Sequence, residues 1–372
     1  MKVERNVNYP GMFDLLKGIV LIGITLSHIK GNFPGGIPYD GELALLKKCL
    51  FALPEIFSFG NATLQILFLI SGYGFTAIPL KKCIRKQAKQ LLRPFLLTGA
   101  AVAVVHFVSH FLTFRNLPGA TKQTAIVVLS HLLGLQSGFQ FHGVQLCFCG
   151  SVWFLMALFE GWVIQTAVMN CLPKQAHGFL AICFLFASAV IHFLLPAWIA
   201  FPFCLYTLLL CAGNLYLGMQ IKKRNWLWIP LPSFAIFLMV LLAVLGQILP
   251  FLQIKSFSMF LFLLFVYVVA SECTAFLLMR VAVRINHWNN WLIQKVRLVG
   301  RYSIWILCAH TIESQGLLWY LFVEKMQGHE LAAFLIMAVV RGILIFAICY
   351  LINLFDKRIR KARKQRKASA PV

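Results

Sequence analysis

Stretches of about 20 mostly apolar residues recur along the whole chain, and this recurrence constrains its fold more than any other feature. A helix needs about that length to cross the hydrocarbon core of a bilayer. Of the residues, 60% are hydrophobic and 12% are charged, whereas a soluble domain is about half apolar and a quarter charged. The sequence therefore predicts an all-α integral membrane protein, folded as a polytopic bundle.

Prolines, glycines and charged clusters divide the chain into about ten candidate transmembrane helices. They cover residues 13–30, 55–78, 95–114, 152–170, 178–197, 200–220, 226–249, 257–279, 303–323 and 331–355. The apolar segment 123–150 is interrupted by three glycines, so it is either a re-entrant or interfacial piece or an eleventh span. We expect residues 1–356 to form one membrane domain, followed by a basic cytoplasmic tail, 357–372, against anionic lipid headgroups.

The basic residues test this number of spans. If the N-terminus is cytoplasmic, ten spans leave 25 of the 34 lysines and arginines on the inner side and 7 on the outer side. Cytoplasmic loops carry such an excess, so both termini are expected in the cytoplasm of a multi-pass cell-membrane protein. The net charge of +23 is then explained by membrane orientation, and no nucleic-acid partner is expected. The sequence carries no signal of oligomeric state.

The first span, FDLLKGIVLIGITLSH, carries three polar groups at membrane depth, where they are costly. Lys17 and His28 lie on one helix face because eleven residues leave a net rotation of only about 20°, and the rise separates them by about 16 Å. Asp14 lies one turn before Lys17, in position for an ion pair. The pattern indicates a polar track along the helix. The alternative is a snorkelling lysine and a boundary histidine.

Other stretches accompany this span in a fixed order: LQILFLISGYGF, KKCIRKQAKQLLRPFL, SVWFLMALFEGW and GRYSIWILCAHTI. Together they resemble the membrane acyltransferase 3 family, which transfers acyl groups, usually acetyl, to hydroxyls of sugars and other carriers. The resemblance covers residues 10–355. The family's basic residue, ten intervening residues and essential histidine match Lys17 and His28, with lysine where many members have arginine.

Three further family features match this sequence and one does not. The matching positions are Ser71 and Gly72 of the SG pair, Trp153–Leu155 of the W-F-L run, and Gly300, Ser303 and His310 of the late G-x-x-S…H pattern. The family's two arginines three apart before a proline are replaced by a looser cluster before Pro94, namely Arg85, Lys86, Lys89 and Arg93. Which cation takes the family role is therefore open.

The resemblance implies an O-acetyltransferase that moves an acetyl group from acetyl-CoA to a hydroxyl of a cell-envelope or exported carbohydrate. His28 is the expected general base, because the pKa of imidazole lies near operating pH; an acetyl-histidine intermediate is the alternative. Asp14 and Lys17 complete the expected catalytic set. The cluster Arg85 to Arg93, with Lys17, is expected to bind the CoA phosphates, although an ordinary positive-inside loop explains it equally. No metal is expected.

Ser71, Trp153, Glu160 and His310 are the expected substrate-binding residues, helped by the loops 31–54 and 115–151. Ser71 also fits helix packing, and Trp153 fits an interfacial anchor. The intramembrane acids, Glu160, Glu272 and Glu313, either orient a histidine or bind a hydroxyl.

His106 and His110 share a helix face without a third ligand nearby, which favours two histidines lining a cavity over a metal pair. Two other classes of function compete with the enzyme. A polytopic transporter or flippase would use the first-helix histidine as a proton relay, but the expected inverted repeats are not found. A purely structural scaffold would leave the polar face of the first helix unexplained.

Overall fold

The computed structural model describes residues 10–33, 45–49, 51–52, 62–141, 143–194, 202–248 and 257–368. Its α-helices are α1 (Asp14–Ser27), α2 (Thr63–Tyr73), α3 (Leu80–Gln87), α4 (Arg93–Phe114), α5 (Leu117–Leu132), α6 (Trp153–Cys171), α7 (Lys174–Leu194), α8 (Leu205–Lys223), α9 (Ser233–Ile248), α10 (Phe257–Arg284), α11 (Trp291–Arg301), α12 (Ser303–Gly316), α13 (Trp319–Lys325) and α14 (Glu330–Ala368). One antiparallel hairpin pairs β1 (Phe139–Phe141) with β2 (Val144–Leu146). The predicted all-α polytopic fold is confirmed.

Every candidate span contains a helix, but the helices differ in length. Seven described helical segments are long and apolar enough to cross a membrane, and α2 and α9 are shorter apolar helices. The seventh candidate span begins later than predicted because Pro230 and Pro232 precede α9, and proline does not fit a helix interior. The ninth is divided, since α12 ends where Leu317 takes an extended conformation.

The glycine-rich segment 123–150 forms the end of α5 and the β hairpin. Helix α5 begins after Asn116, whose side chain accepts a hydrogen bond from the Gly119 amide at 3.0 Å. The chain leaves the helix at Gly134, which has a φ of +60°, a conformation that glycine adopts without strain. The described part of this segment is therefore a helix followed by a hairpin, and it is not among the seven long apolar helices.

Close glycine contacts fix the neighbours of the first two helices. A Cβ atom on Gly18 of α1 would overlap the Val296 carbonyl of α11, and one on Gly300 would overlap the Asp14 carbonyl. Small residues allow this kind of approach between helices. Gly72 packs α2 against α8, where its Cβ would lie 2.7 Å from the Asn214 carbonyl oxygen. The glycine next to Ser71 therefore serves helix packing, and the helix that it contacts is α8.

The last helix crosses the predicted boundary between domain and tail. Helix α14 runs without a break from Glu330 to Ala368, so the basic segment 357–368 continues a helix that begins in the membrane domain. The final residues of the predicted tail, 369–372, and the first nine residues of the chain lie outside the described residues.

Candidate active site

One cavity of about 550 Å³ lies along helix α1. Lys17 and His28 both line this cavity, together with the intervening Leu21 and Ile24. Lys17 Nζ lies 2.7 Å from Asp14 Oδ1, and Arg301 Nε lies 3.7 Å from the other oxygen of that carboxylate. The predicted common face of Lys17 and His28 and the predicted ion pair between Asp14 and Lys17 are confirmed.

His28, at the C-terminal end of α1, contacts a second histidine from α12. Its Nδ1 atom lies 3.0 Å from Nε2 of His310, and the two rings stack with their centroids 5.2 Å apart. Ser151 Oγ also lies 3.0 Å from His28 Nδ1. The two histidines are separated by 282 positions in the chain, so only the tertiary fold brings them together.

A buried ion pair continues this arrangement behind His310. Nδ1 of His310 lies 3.2 Å from Glu313 Oε2, and Arg341 Nε lies 3.2 Å from Glu313 Oε1. Arg341, which is 1% exposed, also donates from a terminal guanidinium nitrogen to the Thr25 carbonyl of α1 at 3.0 Å. A continuous chain of polar contacts therefore runs from α14 through α12 to the end of α1.

The hydrogen-bond pattern assigns the protons along this chain. An ionised carboxylate only accepts hydrogen bonds, so Glu313, paired with Arg341, requires the proton of His310 on Nδ1. His310 Nε2 then accepts from Nδ1–H of His28, and the lone pair of His28 is on Nε2. His310 therefore holds His28 in one tautomer, as the acceptor of a catalytic triad does for its histidine, and leaves Nε2 free to act as a base.

A second cavity of about 760 Å³ adjoins the first. Lys86, Lys89 and Arg93 line it; they belong to α3, to the π-helical turn Ala88–Leu92 and to the first residue of α4. Four residues line both cavities, namely Ser71, Gly74, Leu158 and Ile304. The two cavities therefore share a wall, and the basic residues of the second lie next to the cavity that His28 lines.

Comparisons with known proteins assign the chain to a family. The family model described as an acyltransferase domain, the acyltransferase 3 type, matches residues 12–354. The chain belongs to this family. A search of curated proteins found no match, and a search of solved structures also found none. Membership supports acyl transfer by a membrane protein and favours it over the transporter and scaffold alternatives.

Most of the predicted donor-site residues of this acyltransferase line one of the two cavities. Lys17 lines the first, and Lys86, Lys89 and Arg93 line the second. Arg85 is exposed and is not among the lining residues of either cavity. Lys222, which sequence reasoning did not select, lines the first cavity and lies 5.6 Å from the centre of the Tyr73 ring.

The predicted substrate-binding residues separate into two groups. Ser71 and Trp153 line the first cavity, and the Ser71 hydroxyl accepts a hydrogen bond from Trp162 Nε1 at 3.1 Å. Glu160 is not among the lining residues of either cavity, and its Oε2 atom is buried without a hydrogen-bond partner among the described residues. His310 lies behind His28 rather than along the cavity. Much of the predicted loop 31–54 lies outside the described residues.

The remaining histidine pair lies between α4 and α5. The rings of His106 and His110 have centroids 5.9 Å apart, and Nδ1 of His106 lies 3.0 Å from the hydroxyl of Thr124. Neither histidine is among the lining residues of the two cavities, so the prediction that they line a cavity is not supported there.

Sequence reasoning missed two members of the active-site chain. Arg341 interrupts an otherwise apolar run, and an arginine at membrane depth is itself a signal of a functional site. Ser151 has no comparable signal, because it precedes a helix as many serines do.

Cys149, two residues before Ser151, is buried, and burial raises the pKa of that thiol to about 12. Cys149 is therefore a protonated thiol and not a nucleophilic thiolate.

Proposed function

We propose that this membrane acyltransferase transfers an acetyl group from acetyl-CoA to a hydroxyl of a cell-envelope or exported carbohydrate, with His28 as the general base. The observation that carries this proposal is the cavity that Lys17 and His28 share, with the His310–Glu313–Arg341 chain behind His28. A base aligned by a buried acceptor is what proton removal from an alcohol requires.

The linings of the two cavities fit the chemical parts of acetyl-CoA. Lys86, Lys89 and Arg93 offer three cations to its phosphates, as charge-assisted contacts. The first cavity is long enough for the extended arm of the donor, since Lys17 and His28 are about 16 Å apart along the helix axis. Its walls are mainly apolar, with Leu21, Leu67 and Leu155 among them, which suits a thin and largely uncharged arm.

The reaction can be written with the residues of this chain alone. His28 Nε2 takes the proton of the acceptor hydroxyl while the hydroxyl oxygen attacks the thioester carbon. The new C–O bond forms and the C–S bond breaks, and His28 returns the same proton to the departing sulfur. His310 and the Glu313–Arg341 pair hold the tautomer and stabilise the positive charge that His28 carries between these steps.

Lys17 and His28 lie toward opposite ends of α1, which suits a donor and an acceptor that approach from opposite sides. His28 ends the helix near the outer loops of the expected topology, where an exported glycan is accessible. The protein would then act in the cell membrane, with the cytoplasmic donor on the side of Lys17 and the basic cluster.

The test is acetyl transfer from radiolabelled acetyl-CoA to a panel of envelope glycans, in membranes that contain the parent protein or His28→Ala. We expect the variant to lose about 10²–10⁴-fold in rate at unchanged abundance. His287→Ala is the matched control, because His287 lies outside both cavities and its hydrogen bond among the described residues is to a backbone carbonyl in its own turn. Parental rates in His28→Ala, or no labelled glycan with the parent protein, would overturn the proposal.

The same assay separates direct transfer from a covalent intermediate. With a general base, protein that is denatured rapidly at neutral pH, because acid hydrolyses an acetyl-imidazole, carries no acetyl label when donor is present and acceptor is omitted. A labelled His28 peptide under these conditions would assign the histidine as the nucleophile instead.

A further inference from the structure

A third, smaller cavity lies away from the proposed active site, between α2, α7, α8 and α10. Its volume is about 90 Å³. Its polar lining residues are Gln65, Ser188, His192, Tyr206, Tyr267 and Glu272. Leu64 is the one residue that it shares with the His28 cavity, and it shares none with the basic cavity. It is therefore a separate polar site within the apolar bundle.

Two oxygen atoms of the lining residues, Glu272 Oε2 and Gln65 Oε1, are buried without a hydrogen-bond partner among the described residues. Asn214 is not a lining residue, but it bonds Glu272, and its Oδ1 atom is a third such oxygen. The Asn214 amide nitrogen donates to Glu272 Oε1 and to the Leu210 carbonyl, both at 3.0 Å. This pair of bonds fixes the orientation of the Asn214 side chain, so its oxygen is left without a donor.

Glu272 lacks a cationic partner among the described residues, a property that it shares with Glu160 but not with Asp14 or Glu313. Asp14 pairs with Lys17, and Glu313 pairs with Arg341. Among the residues that the structure describes, no lysine or arginine forms an ion pair with Glu272, and His192 at the cavity wall stacks with Tyr267. A carboxylate in the low-dielectric interior needs a counter-charge or a proton.

We propose that this cavity binds a single sodium ion, held by the carboxylate of Glu272 and the side-chain oxygen of Gln65. Carboxylate, amide and hydroxyl oxygens are the ligands that hard cations prefer, and a single carboxylate matches a single positive charge. Gln65 is 4% exposed and Asn214 is fully buried, so bulk water does not hydrogen-bond to either side-chain oxygen. A neutral, protonated Glu272 has one proton to donate, which satisfies at most one of the other buried oxygens.

The position of Glu272 and Asn214 agrees with an ion site. Each lies near the middle of its helix, α10 and α8 respectively, and therefore near the bilayer midplane, where coupling ions bind in other membrane folds. The bound ion would tie α2 to α10. Helix α2 also carries Ser71 and Leu67 of the His28 cavity, so the ion would stabilise one wall of that cavity.

The experiment uses the full-length protein, purified in detergent in potassium buffer and unfolded by heat in NaCl, KCl or choline chloride at equal ionic strength. Because a ligand stabilises the state that binds it, we expect sodium to raise the Tm by roughly 2–4 °C. Glu272→Gln should lose this increase. Glu160→Gln is the matched control, a second buried carboxylate with an unpartnered oxygen that lines none of the three cavities, and it should keep the increase.

A second variant covers the case in which Glu272→Gln does not fold. Gln65→Leu removes one oxygen and leaves the carboxylate in place, so the sodium concentration at half-maximal stabilisation should rise about tenfold, for one lost ligand of about 1.4 kcal/mol. Equal Tm values for the parent in the three salts would overturn the proposal, and so would a parental sodium response in either variant of the site. A parent stabilised by acid but not by sodium would instead assign a proton to Glu272.

Discussion

The proposed base, His28, and the basic residues proposed to bind the donor are held in different ways. At the His28 end, Ser151, His310, Glu313 and Arg341 are short-range partners at 3.0–3.2 Å, and Arg341 is almost fully buried. At the basic end, Lys86, Lys89 and Arg93 are exposed, and their long side chains can adopt several rotamers independently of one another. Proton transfer at His28 depends on the tautomers and positions of its partners, whereas donor binding at the basic residues depends on their total charge.

This difference predicts different responses to substitution. A hydrogen-bonded chain loses its function when one member is removed, because each member fixes the proton position of the next. Exposed cations act together on the several phosphate charges of the proposed donor. Each cation therefore contributes modestly to binding, and salt screens its effect. The following four substitutions test that contrast, from the largest expected effect to the smallest.

The largest effect is expected at Arg341. Arg341→Leu leaves Glu313 as an unpaired buried charge, and we expect the free energy of unfolding to fall by about 3–5 kcal/mol. Thermal unfolding in detergent measures the loss. The double variant Arg341→Leu with Glu313→Leu should recover most of it, because an apolar pair can replace a buried ion pair at little cost. A double variant as unstable as the single would show that the pair is not what stabilises this part of the bundle.

The second effect concerns His310, a positioning residue for His28. His310→Ala should lower kcat by about 10²–10³-fold with little change in KM, because His28 loses the acceptor that fixes its tautomer. The double variant with His28→Ala should be no slower than His28→Ala alone, since residues that act as a unit are not additive. His310→Gln keeps an acceptor oxygen in reach and should recover part of kcat. If the rate losses of the two single variants add in the double variant, the two histidines act independently, which would contradict this prediction.

The sequence predicted the elements of this site better than their assembly. Hydropathy located the helices because the bilayer fixes their length, and helical periodicity placed Lys17 and His28 on one face of α1. The contact between His28 and His310 could not be predicted, because nothing local to α1 or α12 states which helices become neighbours. That neighbourhood depends on close approaches such as Gly300 against the Asp14 carbonyl, which are properties of the folded bundle.

The third effect tests the basic end. Arg93→Gln should raise the KM for acetyl-CoA by about 3–10-fold at unchanged kcat, because one charge-assisted contact is lost at an exposed position. Lys81→Gln is the control, since Lys81 is exposed on α3 and is not among the lining residues of the two cavities. The KM of the parent should rise with ionic strength, and that of Arg93→Gln should rise less. A loss of kcat in Arg93→Gln would contradict a purely electrostatic role.

The smallest effect is expected at Ser151, and it marks the limit of the contrast. Ser151 lines the cavity and lies 3.0 Å from His28 Nδ1, but His310 offers the same nitrogen a second acceptor at the same distance. Ser151→Ala therefore removes a neutral, shared hydrogen bond of about 0.5–1.5 kcal/mol, which corresponds to a rate loss of about 2–10-fold. A loss as large as that of His28→Ala would instead indicate that the serine hydroxyl takes part in the chemistry. That outcome would also require the other tautomer of His28, in which Nδ1 accepts a hydrogen bond from the serine hydroxyl as the base of a nucleophile does.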